Sequence, residues 1–148
     1  MTYELRIERL IDGSPGDVFD AFVDPETQKF LYGDEQEADW LVESEVDLRV
    51  GGMWTIQFGK VGEVPFRETN TFIEVDRPVR LVFASTMFKG RYGGTYDTRV
   101  AVTFDERDGK TLLTILQTGF ENEDERDMIQ NGWPAILERL DKIVGSRH

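Results

Sequence analysis

The chain has 148 residues, with 17 Lys and Arg against 29 Asp and Glu and a formal net charge of −12. Apolar residues make up 39% and aromatic residues 11%, which rules out a disordered acidic chain and suits one folded domain spanning residues 1–148. Such acidity argues against nucleic acid or an anionic membrane as partner, since both are bound through Lys and Arg.

In chain order, Tyr3 to Ile11 alternates apolar and charged residues, as a half-buried strand does. Ser14-Pro15-Gly16-Asp17 then carries a helix start: a capping serine, proline at the first helical position and an early acid. Val18, Phe19, Phe22 and Val23 give that helix one apolar face. Asp24-Pro25 repeats the cap-then-proline signal and predicts a second short helix through Phe30 and Leu31, ending near Gly33.

From Trp40 the pattern predicts strands near 40–48, 53–60, 64–75, 79–87, 94–105 and 110–118. Gly51-Gly52, Val61-Gly62, Asp76-Arg77-Pro78, Gly93-Gly94 and Asp108-Gly109 fall between them as turns. Connections this short make an antiparallel meander. Helical spacing returns with Met128, Ile129, Trp133, Ile136, Leu137, Leu140 and Val144, capped by Asn122 with Glu125 completing a capping-box pattern. Gly132 and Pro134 predict a kink or break within this helix.

The chemistry-bearing residues are few. There is no cysteine, so disulfides, thiol catalysis and thiolate metal sites are excluded. The only histidine is His148, at the chain's end, which leaves no basis for a Ser-His-Asp triad or a His-built metal site. No metal and no cofactor are expected. No apolar run reaches the ~20 residues of a membrane span, and Met1 to Leu10 lacks a signal-peptide core; a soluble cytoplasmic protein is the expectation.

Several segments resemble a known family. Arg9-Leu10-Ile11-Asp12, followed by Ser14-Pro15 and Val18-Phe19-Asp20-Ala21, resembles its opening R-x-I-x-A-P-x-x-V-F-x-A, and Asp24-Pro25-Glu26 its D-P-E. Asp47-Leu48-Arg49-Val50-Gly51-Gly52-Met53-Trp54 is similar to D-x-R-V-G-G-x-W. The run from Glu74 to Phe83 is similar to E-V-D-x-P-x-R-L-V-F, and Gly132-Trp133 with Leu137 and Leu140 to G-W-x-x-x-L-x-x-L. On these motifs the chain is identified as a homologue of the heat-shock-protein-90 ATPase activator, within the SRPBCC (START-related, helix-grip) superfamily. It departs at Gly13, where the family usually has Ala, and at Pro134. The resemblance implies an α+β helix-grip fold. Its curved seven-stranded antiparallel sheet would wrap around the long C-terminal helix, with two short helices after the first strand and a cavity between sheet and last helix.

Strand parity then selects residues for such a cavity: Trp54, Ile56 and Phe58; Phe83; Tyr96 and Val102; Gln117; and Trp133 and Leu137 on the helix. For any single apolar residue among them an ordinary core position is the more usual role. Arg9 and Arg67 are expected polar anchors; Arg67, Thr69 and Thr71 share parity with Ile73. Glu68 and Asp97, the conceivable acids for catalysis, fall by the same parity on the opposite faces. Met87, Phe88 and Tyr92, with Trp40, are expected at a lip.

The favoured function is binding of a hydrophobic or aromatic small molecule. The alternatives are a co-chaperone-like module that binds a chaperone or other basic protein, in keeping with the family's name, and a small cyclase, lyase or hydrolase, for which no residue stands out. The acidity is concentrated: seven acids and no Lys or Arg between residues 34 and 47, and five acids against Arg126 between 121 and 127. Acids in a first helical turn suit the helix dipole. The first cluster, including Asp34, Glu35, Glu37 and Asp39, has no such role; with the second it is expected on one side of the molecule, as a patch suited to a basic partner or to repelling anionic ligands, or simply to solubility.

Overall fold

Strand β1 (Tyr3–Ile11) alternates as its sequence does, with Leu5 and Ile11 buried and Glu4, Arg6 and Glu8 exposed. The fold is described from a computed structural model covering residues 2–33, 38–90 and 93–146. Asp34, Glu35, Glu37, Tyr92 and His148, all named above, lie outside the described residues.

Both short helices start where the capping signals place them. Ser14 Oγ accepts a hydrogen bond from the Asp17 amide at the start of α1 (Pro15–Val23), and Asp24 Oδ1 accepts from Glu26 at the start of α2 (Pro25–Leu31). These contacts satisfy amides that have no partner inside the helix. The chain then meanders through β2 (Trp40–Val46), β3 (Met53–Lys60), β4 (Phe66–Asp76), β5 (Arg80–Phe88), β6 (Thr95–Arg107) and β7 (Lys110–Phe120). With β1 beside β7, the seven strands form one antiparallel sheet in the order β1-β7-β6-β5-β4-β3-β2.

The predicted glycine turns are present. Asp108 and Gly109, with φ of 51° and 85°, make the tight β6–β7 hairpin. At the β2–β3 turn a Cβ on Gly52 would lie 2.1 Å from the Asp47 carbonyl oxygen, so only glycine fits. Gly51 donates to the Phe72 carbonyl and Gly52 accepts from the Phe72 amide, which extends the β3–β4 ladder into the turn.

One strand departs from the expected parity. The β4–β5 register shifts between Phe72 and Glu74, a bulge that gives Ile73 to solvent. N-terminal to it the even-numbered positions point inward: Asn70 and Phe72 are buried and Glu68 partly so, while Arg67 and Thr71 are exposed. Ile73 lies outward with Arg67 and Thr71, so counting from it as an inward residue puts the whole odd-numbered face on the wrong side. Asp97 does lie outward, as expected, where it accepts from the Thr86 hydroxyl.

The last helix, α3 (Glu123–Gly145), packs on β1, β7, α1 and α2 across the sheet's inner face. Asn122 Oδ1 caps it, accepting from Asp124 and Glu125, and Glu125 gives its carboxylate to Lys89 Nζ at 3.0 Å. A break at Pro134 is not found; the helix continues through it. Proline frees the Gln130 carbonyl, but both residues are solvent-exposed and water can satisfy that oxygen. Burial of Trp133, Leu137, Leu140 and Val144 along one stripe supports the helix beyond the proline.

Helix α1 plugs one end of the grip. Phe19 meets Phe104 at 5.1 Å, Phe22 meets Trp54 at 5.7 Å, and Trp54 packs edge-on to Phe83 at 5.2 Å. Burying rings of this size stabilises the fold by roughly 1.5–3 kcal/mol each.

Candidate functional site

Where α1 ends, the interior opens. Between the far half of the sheet and the first half of α3 lies a cavity of about 310 Å³. Its walls are Leu31 and Tyr32 from α2 and the residue after it; Phe58, Glu68, Ser85, Met87, Tyr96 and Gln117 from β3 to β7; and Met128, Ile129, Gly132, Trp133, Ala135, Ile136 and Arg139 from α3. The volume is at the lower end of the roughly 300–1,000 Å³ of small-molecule sites.

Rings shape the β2–β3 side. Phe58 lies 5.3 Å from Tyr32 and stacks on Phe66 at 5.3 Å, and Trp40 closes behind it at 6.4 Å. The Trp40 indole is fixed by donating 2.9 Å to the Tyr32 carbonyl, so it braces the wall rather than forming a lip. Met87 lines the cavity directly.

Polar groups converge on this apolar chamber. Gln117 Nε2 donates 2.9 Å to Thr98 Oγ1, and Gln117 Oε1 accepts 3.0 Å from Trp133 Nε1, so its amide joins sheet to helix. Arg139 Nη1 donates to the Leu31 and Gly33 carbonyls at 3.0 and 2.6 Å, tying α3 to the end of α2. The Tyr32 hydroxyl donates a long 3.4 Å bond to Glu68 Oε2. Tyr96, 9% exposed, has a buried hydroxyl with no hydrogen-bond partner. An orphaned buried hydroxyl costs about 1–3 kcal/mol, so a ligand that engages it recovers that energy.

Burial sets the electrostatics. It pushes the Glu68 carboxyl above the usual range, against the smaller opposing effects of Asn70, Tyr32 and Ser85. Tyr32 is pushed well above an ordinary phenol by burial and by the neighbouring Glu68 carboxylate. Tyr96 is also raised, by burial first and then by Glu68 and Glu125. Both phenols therefore stay protonated at neutral pH and can donate.

Of the residues selected from sequence, Phe58, Met87, Tyr96, Gln117 and Trp133 are brought together around the cavity. Trp54, Ile56, Phe83, Val102 and Leu137 face the same interior but lie in the packed part and do not line it. Arg9 is engaged internally, donating from Nη2 to Asp141 Oδ2 at 3.2 Å. Arg67 faces outward and bonds Gln57. Neither arginine reaches the cavity.

Glu68, Tyr32, Ser85 and Arg139 were not anticipated there. The sequence signal for Glu68 was Phe66 and Phe72 on its own parity, two aromatics outweighing one isoleucine. Among the described residues no group of three His, Cys, Asp or Glu is placed to hold a metal ion, and no helix is long and apolar enough to cross a membrane.

A curved antiparallel sheet closed on a C-terminal helix, with a ligand-sized space between them, defines a helix-grip fold. Solved structures agree. Protein CV1439 from Chromobacterium violaceum matches at TM-score 0.81 and 21% identity, over 95% of this chain and 96% of that one. Mll3558 from Rhizobium loti matches at TM-score 0.79 and 27% identity, over 96% of each chain. An AHSA1-like protein from Aeromonas hydrophila matches at TM-score 0.72 and 26% identity, over 98% and 94%. No curated protein is significantly similar in sequence. The family model for Activator of Hsp90 ATPase homolog 1-like protein matches residues 12–145, and the chain belongs to that family.

Proposed function

We propose that the protein binds a small hydrophobic or aromatic molecule in the cavity between the sheet and α3. One observation carries this: a cavity of about 310 Å³, walled by Leu, Ile, Met and aromatic side chains, into which the partnerless buried Tyr96 hydroxyl is built. A chain that needed only a core would fill that space, since each void left in a core costs stability. Instead α1 fills one end of the grip and the other end stays open.

The test is titration with N-phenyl-1-naphthylamine, a neutral dye whose emission rises in apolar surroundings. Saturable one-to-one binding is expected. Gly132 supplies the control, because it lines the cavity and a Cβ there would meet nothing within 4 Å. Gly132→Leu should fold at least as well, as glycine costs a helix interior about 1 kcal/mol, and yet bind the dye at least about tenfold more weakly. Unsaturable binding, or binding indifferent to Gly132→Leu, would contradict the proposal.

The family's description favours a second function, docking to an Hsp90-type chaperone through the acidic surface. That function predicts a complex with the purified chaperone that dissociates as salt is raised.

A further inference from the structure

Among the described residues Glu68 is the one carboxylate lining the cavity, and its polar neighbours are all neutral: the Tyr32 hydroxyl at a long 3.4 Å, with Asn70 and Ser85 nearby. Among the described residues no Lys or Arg is paired with it. Arg139, the one cation of the lining, directs its Nη1 at two backbone carbonyls. Beside Glu68 stand the rings of Tyr32, Phe58 and Tyr96 and the unpartnered Tyr96 hydroxyl. A buried carboxylate is ordinarily matched by a cation of the protein. Here that place borders an open, ring-walled space.

We propose that the ligand of this cavity is a hydrophobic molecule bearing a protonated amine, anchored by Glu68 with its apolar part against Phe58, Met87 and Trp133. The proposal rests on the cavity being a ligand site and specifies the ligand's chemical class.

The energetics favour a cation over the alternatives. In a buried ion pair, desolvating both charges usually cancels the attraction. Here the fold has already taken the carboxylate partly out of water, so the ammonium bears most of the remaining desolvation. Burial holds Glu68 above its ordinary pKa, which is the mark of that unrecovered cost. Aromatic faces add attraction for an ammonium, and its N–H groups can also be accepted by the Tyr96 oxygen. An anionic ligand would meet the Glu68 carboxylate at close range and a net charge of −12 at long range. A neutral ligand would leave the carboxylate as poorly paired as before.

The experiment is calorimetric titration, at neutral pH and physiological salt, with three molecules sharing one ring system: 2-naphthylmethylamine, 2-naphthylmethanol and 2-naphthoic acid. The wild type should bind the amine at least about tenfold more tightly than the alcohol, the gain of a charge-assisted hydrogen bond, and the acid most weakly. In Glu68→Gln, shown to be folded by thermal unfolding, the amine-to-alcohol ratio should fall towards one. Any attraction of amines to the acidic surface survives that substitution, so the change in ratio isolates Glu68. The inference is overturned, with the ligand site intact, if the alcohol or the acid binds as tightly as the amine, or if the preference persists in Glu68→Gln. If none of the three binds, the ligand site falls with it. The wild-type comparison decides the matter alone if the variant does not fold.

Discussion

Trp133 Nε1 donates to Gln117 Oε1 at 3.0 Å, and through this bond the helix that closes the cavity is tied to the sheet that floors it. Gln117 passes the connection on to Thr98 at 2.9 Å, so three buried polar side chains on α3, β7 and β6 satisfy one another. Trp133→Phe keeps most of the ring but strands the Gln117 oxygen. A loss of about 1–3 kcal/mol in urea unfolding is expected. Adding Gln117→Leu should recover part of it, because removing both partners leaves no orphaned acceptor beyond the Thr98 hydroxyl. Equal stability of Trp133→Phe and the wild type would show that the bond carries no weight.

Glu68 should make stability depend on pH with a definite sign. Burial raises its folded pKa above the ordinary 4.5, so between those two values the folded state holds a proton that the unfolded chain has lost. This group's contribution therefore falls as pH rises through that window, and below it no penalty remains. Glu68→Gln should be more stable than wild type at neutral pH, and the advantage should disappear by about pH 4. Denaturant midpoints at the two pH values measure it. An advantage that is larger in acid would contradict the account.

Asp141 closes the other end of α3 onto β1. Its Oδ2 accepts from Arg9 Nε and Nη2 at 3.4 and 3.2 Å, and its Oδ1 accepts from the Asp12 amide at 3.0 Å. Asp141→Ala should cost about 1–2 kcal/mol, more than Arg9→Ala, because it also leaves a backbone amide without its partner. Equilibrium unfolding of both variants ranks them. A larger loss for Arg9→Ala would mean that the arginine has a further partner.

Much of this architecture is written locally. Ser14-Pro15, Asp24-Pro25, Asn122 and Asp108-Gly109 each act through their own neighbours, and each is found where its chemistry requires. Parity also selected the correct face of β3, β5, β6 and β7, since alternation is a property of the strand itself. It could not say how far along each strand the packed core gives way to open space. That boundary is drawn by α1, whose Phe19 and Phe22 fill the end holding Trp54, Phe83 and Phe104 and stop short of Phe58, Met87 and Tyr96. On β4 a count anchored on Ile73, which lies outward with Arg67 and Thr71, fails; anchored on Phe66 and Phe72 it gives the observed face, and only the shift beyond Phe72 depends on β4–β5 pairing. The cost of that error was Glu68, the most consequential polar group in the cavity. The absence of a break at Pro134 has a related reason: a proline penalises the helix locally, while burial of the opposite stripe supports its continuation through tertiary contacts.

The central claim is that the space between sheet and α3 receives a ligand, and methionine methyl NMR tests it most directly. The chain has four methionines. Met87 and the half-exposed Met128 line the cavity, whereas Met53 lies on the sheet's outer face, away from it. Titration with 2-naphthylmethylamine should shift the Met87 and Met128 methyl signals together and saturably, by ring current, while Met53 stays still. Movement of Met53 with Met87 and Met128 unchanged, or no saturable shift at all, would contradict it.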